Sequence, residues 1–225
     1  CFIVGKTKRA VEEHFTPDFD IVQYLKDNKK LKLSKVLDAY SKKLEKSNIV
    51  FIYQPKPIGF GDAIEKSKKF VNGDNFLLHA GDDIVISKRN NHLTRLENAF
   101  KKYDADIACL VEEVNDPKKY GVVDGIFLEN GVMKITEMKE KPKNPSTKFA
   151  IIAIYIFKSS IFDKLSDVKI KGNPEKQLAY AFNMAIKKNE NVIGVFLKKS
   201  EKRIDIGTPE SYLQVLTSSK TIKIE

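Results

Sequence analysis

Short apolar runs alternate with stretches of helical periodicity along this chain, and that alternation limits the available folds more than any other feature. Residues 1–4, 48–53, 75–80 and 106–111 read as strands. Between them the spacing predicts helices over residues 6–15, near residues 21–25, over 35–46 with Ser34 as cap, and over 59–70 and 92–103. Strands separated by helices need crossover connections, and crossovers make parallel neighbours. The middle of the chain reads differently. Residues 121–128 and 132–138 flank Asn130-Gly131, the strongest short hairpin signal. A long extended run over 149–157 follows. Then come helices over 160–165 and 175–188, strands over 192–197 and 203–206, and a helix that Pro209 can open. The expectation is an α/β fold with a mainly parallel sheet and a small antiparallel subregion. Without repeats or a clear linker, residues 1–225 read as one domain.

Composition removes several functions. Two cysteines, Cys1 and Cys109, cannot build a disulfide framework, and no Cys/His spacing suits zinc. No apolar run approaches the ~20 residues of a membrane span. No signal peptide is visible, so a reducing, cytoplasmic compartment with no membrane partner is expected. The chain carries 40 basic and 30 acidic residues. The excess is dispersed lysine, with only Arg9, Arg89, Arg95 and Arg203 able to offer guanidinium forks. A nucleic-acid partner is therefore not expected, and the positive field suits a small phosphorylated ligand.

Four constellations can carry chemistry. Gly81-Asp82-Asp83 follows an apolar strand, where open α/β sheets bind ligands, and its carboxylates suit a hard cation such as Mg²⁺. The plain alternative is a turn with a cap. Asp205, in Arg203-Ile204-Asp205-Ile206-Gly207, ends another short strand and can face Asp82 to clamp one ion. Gln54-Pro55, with Gly59-Phe60-Gly61-Asp62 behind it, forms a loop whose glycines let a flat ligand approach; the Gln54 amide can read a nucleobase edge. Glu140-Lys141-Pro142 joins an acceptor for sugar hydroxyls to a point charge for phosphate, although an exposed ion pair is the commoner reading of Glu-Lys.

Taken in order, these motifs resemble the sugar-nucleotide pyrophosphorylases. The run from Lys8 to Phe15, Tyr120-Gly121-Val122-Val123, and Glu175 with Gln177-Leu178 extend the likeness over nearly the whole chain. The Lys8 to Phe15 stretch points to the bacterial and archaeal uridylyltransferase branch. The resemblance implies a Rossmann-like nucleotidyltransferase fold and the conversion of UTP and glucose 1-phosphate to UDP-glucose and pyrophosphate. It implies Asp82 and Asp205 as ligands of catalytic Mg²⁺, with Lys141 as the third catalytic residue. Gln54, Gly59, Gly61 and Asp82 would bind nucleotide; Gly121, Glu140, Lys141 and Glu175 would bind sugar phosphate. A homo-oligomer is expected. The family's opening strand and Gly-x-Gly-Thr-Arg loop have no counterpart here, so the domain is expected to be N-terminally incomplete. Two readings compete: a thymidylyltransferase acting on the same sugar phosphate, and a non-catalytic sugar-nucleotide-binding domain.

Overall fold

The computed structural model describes residues 1–166 and 177–218. The chain divides into two compact units, Cys1–Phe70 and Val71–Glu225.

In the first unit, β1 (Phe2–Val4) pairs in parallel with β2 (Phe51–Tyr53), placing Phe2 opposite Phe51. Their rings stack with centroids 5.4 Å apart, and Phe15, just after α1 (Arg9–His14), lies 4.5 Å from Phe2. Helix α2 (Phe19–Asp27) starts where Asp18 accepts a bond from the Ile21 N–H, satisfying an orphan donor of its first turn. It packs on α3 (Leu31–Glu45). That helix begins at Leu31, so Ser34 is not its cap. Ser34 is buried and donates its hydroxyl to the Leu31 carbonyl, the usual outlet for a serine inside a helix. The helix foreseen over 59–70 breaks into α4 (Phe60–Lys66) and α5 (Lys68–Val71), where Ser67 bonds back to Ile64.

The second unit contains β3 (Phe76–His79), β4 (Asp83–Ile86), α6 (Asn91–Lys102), β5 (Ile107–Glu113), β6 (Gly121–Phe127) and β7 (Val132–Glu140). It continues with β8 (Phe149–Phe157), α7 (Ile161–Ser166), α8 (Leu178–Lys187), β9 (Val192–Phe196), β10 (Lys202–Asp205) and α9 (Pro209–Ser218). Six strands form one sheet in the order β3-β8-β5-β9-β7-β6, and β6 also meets β8 at Val122–Ala150. The core packs Leu96, Ala99 and Phe100 of α6 on Leu110, Ile152, Ile154 and Ile193 of the sheet. Each such large side chain taken from water contributes about 1.5–3 kcal/mol.

The α/β class and the hairpin are as expected; Asn130 and Gly131 take φ of 57° and 72°, as the tight turn requires. Parallel pairing joins β1 to β2 and β5 to β9. The antiparallel part is larger than the helix–strand alternation suggests, because β8 lies between β3 and β5 and runs against both. Strand β4 has no counterpart in the sequence pattern. It pairs antiparallel with β10 in a separate two-stranded sheet.

Candidate active site

The first unit carries the Gln54 loop. Gln54 leaves β2 with its backbone N–H bonded to Val4 of β1. Its side-chain nitrogen donates to the Asp62 carboxylate (2.8 Å) and the Gly59 carbonyl (3.2 Å). Gly59 has φ of 112° and ψ of 166°, a conformation open essentially to glycine alone. Gly61 and Asp62 are buried in the first turn of α4. Gln54 and Gly59 thus sit in one hydrogen-bonded loop, which Asp62 ties to the first turn of α4, where Gly61 lies.

The second unit carries the carboxylates. Pairing of β4 with β10 sets Asp205 opposite Asp83, and the Ile206 N–H bonds the Asp82 carbonyl at 2.8 Å. Asp205 turns back to accept the Gly207 N–H at 2.9 Å. A methyl group at Gly207 would lie 3.0 Å from Asp205 Oδ1 and 3.2 Å from Asp82 Oδ2. The two carboxylates therefore converge on the space that this glycine leaves empty.

Asp83 has a different job from its neighbour. It is buried and held by Arg203, through Nε at 2.5 Å and Nη2 at 3.0 Å, and its Oδ2 also accepts the Ala153 N–H at 3.0 Å. The reading of Asp82-Asp83 as an adjacent ligand pair is corrected: Asp83 is committed to Arg203, while Asp82 is exposed. Arg203 also lies 3.6 Å from Asp205 and 3.9 Å from Glu112, and its guanidinium stacks 4.7 Å from the Tyr120 ring centre. Burial opposes the Arg203 charge, but the bond and charge of Asp83 outweigh it and raise its pKa. Burial pushes the Glu112 carboxyl up, against the pull of Arg203.

Gly121 opens β6 opposite Glu140, the last residue of β7; a methyl there would lie 3.1 Å from Glu140 Oε2. Lys141 takes a left-handed φ of 41° and donates its N–H to the Tyr120 carbonyl. A lysine held in that region costs roughly 1–2 kcal/mol, which the surrounding bonds must offset. Tyr120 thus fixes the Lys141 backbone with its carbonyl and Arg203 with its ring. Glu175 lies outside the described residues. Sequence reasoning gave no role to Asp62, Tyr120 or the Arg203–Asp83 pair. The period-two spacing of Arg203 and Asp205 was the available signal, since it sets both on one face of β10.

Among the described residues, no group of three or more His, Cys, Asp or Glu gathers at metal-binding distances. The site offers two protein carboxylates. That donor set fits Mg²⁺, which takes oxygen ligands and completes its shell with water and phosphate.

The chain belongs to the nucleotidyl transferase family, whose model matches residues 16–221. Within it, the chain is 33% identical over 218 residues to a provisionally named UTP–glucose-1-phosphate uridylyltransferase of Methanocaldococcus jannaschii, covering 95% of this chain and 73% of that protein. It resembles the crystal structure of an apo UDP-glucose pyrophosphorylase with a TM-score of 0.86 and 28% identity, covering 97% of this chain and 80% of the other. A UDP-glucose pyrophosphorylase complexed with UDP-glucose matches with a TM-score of 0.80 and 27% identity, over 97% and 79% of the two chains.

Proposed function

We propose that this protein transfers a uridylyl group from UTP to glucose 1-phosphate, yielding UDP-glucose and pyrophosphate. The observation that carries the reading is the convergence of Asp82 and Asp205 beside Gly207. The relatives' names support the choice of substrates. A phosphate oxygen of the sugar phosphate bonds to the α-phosphorus of UTP while the bond to the bridging oxygen breaks, and pyrophosphate departs. Little covalent work falls to the protein, so its residues act by positioning and charge.

Asp82 and Asp205 would hold Mg²⁺, which when bound supplies positive charge against the phosphate oxygens. Gln54, with Gly59 and Gly61, receives the uracil, and Asp82 also faces the nucleotide. Gly121 and Glu140 face the sugar ring, joined by Glu175, and Lys141 places its charge by the sugar phosphate. The backbone bond from Lys141 to Tyr120 supports that last role by fixing where the lysine emerges.

We further propose that both units belong to one nucleotidyltransferase domain, supported by a family match that runs through the boundary at residue 70. The protein would work in the cytoplasm, where nucleoside triphosphates are made, as a homo-oligomer without nucleic-acid or membrane partners. No helix among the described residues is long and apolar enough to cross a membrane.

The test is a product assay. Purified protein with UTP, glucose 1-phosphate and Mg²⁺ should form UDP-glucose and pyrophosphate in equal amounts, faster than with dTTP. A dTTP preference would favour the thymidylyltransferase reading. Binding of UDP-glucose without turnover would favour the non-catalytic one.

A further inference from the structure

The Gln54 amide has only one orientation open to it. Its nitrogen faces two oxygens that can only accept, the Asp62 carboxylate at 2.8 Å and the Gly59 carbonyl at 3.2 Å. Turning the amide over would set Oε1 against both. Asp62 is fixed in turn. It is buried, with 4% of its surface exposed, and sits in the first turn of α4, where the helix dipole favours negative charge. Lys66, one turn along the same helix, brings its Nζ to 3.4 Å. Both Gln54 N–H groups are therefore used inside the loop, and no described residue donates to Oε1.

We propose that Asp62 sets the choice of pyrimidine: by holding the Gln54 nitrogen, it leaves Oε1 as the side-chain atom offered to the base, an acceptor that takes the N3–H of uracil and opposes the N3 lone pair of cytosine. The inference rests on the reading of Gln54 as a base contact. It makes Asp62 a positioning residue rather than a contact. For cytosine to bind well, Gln54 would have to turn its nitrogen outward and give up two bonds, one of them to a charged group. Sites whose polar groups are committed in this way reject the wrong partner strongly, because the mismatch strands buried polar atoms. Uracil and thymine share the N3–H, so this device separates UTP from CTP and leaves UTP against dTTP to other contacts.

Removing Asp62 removes the charged half of the lock. Gln54 can then turn at the cost of the Gly59 bond alone. The experiment is equilibrium binding of UTP and of CTP to the purified wild-type protein, Asp62→Ala and Asp62→Asn, with a thermal melt to establish that each variant is folded. The wild type should prefer UTP. In Asp62→Ala the UTP-to-CTP affinity ratio should fall by about tenfold, the worth of a charge-assisted hydrogen bond. Asp62→Asn keeps the shape but loses the charge and adds a competing donor, so its ratio should fall in the same direction; it decides the matter if the alanine variant does not fold. A merely structural role would weaken both nucleotides together and leave the ratio unchanged, which would overturn the proposal. A wild type that does not prefer UTP to CTP would instead overturn the reading of Gln54 on which it rests.

Discussion

The Gln54 loop and the Asp82–Asp205 site are built in opposite ways. The loop closes within eight residues of sequence: the Gln54 amide donates to both Gly59 and Asp62 before α4 has completed a turn. The carboxylate site joins segments 120 residues apart, with Arg203 of β10 gripping Asp83 of β4. Local geometry settles the first; tertiary pairing, backed by a buried ion pair, settles the second. A loop of the first kind can be altered with the fold intact. A site of the second kind loses structure and chemistry together when its clamp is cut.

The largest effect should follow from cutting that clamp. Arg203→Ala strands the buried Asp83 carboxylate and should destabilise the protein by about 3–5 kcal/mol in chemical denaturation. Arg203→Lys, which keeps the charge but not the fork, should recover only part of the loss. Next, Asp82→Asn and Asp205→Asn should each lower turnover by about 10²–10³-fold while the melting temperature changes little. The double variant should be no slower than the worse single one, because the two act as a unit. Smaller still, Glu140→Ala should weaken use of glucose 1-phosphate by about 1–3 kcal/mol and leave UTP binding unchanged, as measured by the separate KM values. Gly59→Ala should cost about 1 kcal/mol through its φ of 112° and raise the KM for UTP without touching that for the sugar.

The smallest effect is one of pH. Burial pushes the Glu201 carboxyl up, but bonds from Arg95 and the Lys198 N–H hold it below its ordinary 4.5. A carboxyl with a depressed folded pKa adds stability that is complete above 4.5 and is lost as pH falls through the folded value. Acid titration of stability should therefore show a step below 4.5 that Glu201→Gln removes.

The same contrast explains what could be read from the chain itself. The Asn130-Gly131 hairpin and the Gln54 loop were legible because each is local, with the glycines and the amide close in sequence. Asp82 and Asp205 were legible as ends of apolar runs. Strand β4 was not, since four residues headed by an acid carry little pattern of their own and become a strand only by pairing with β10. For the same reason the sequence could not tell Asp82 from Asp83. The difference between an exposed carboxylate and one buried against Arg203 arises from a partner 120 residues away. Ser34 misled because a serine before an amphipathic stretch serves equally well as a cap or as a buried residue that bonds its own helix.

The measurement that tests the division of labour most directly is steady-state kinetics of Asp205→Asn beside Gln54→Leu, with UTP as the varied substrate. Asp205→Asn should lose kcat by about 10²–10³-fold with its KM for UTP within a few-fold of wild type. Gln54→Leu should do the converse, raising the KM for UTP about tenfold with kcat nearly kept. An Asp205→Asn protein that retains its kcat, or a Gln54→Leu protein that loses kcat while its KM for UTP stays fixed, would contradict that division.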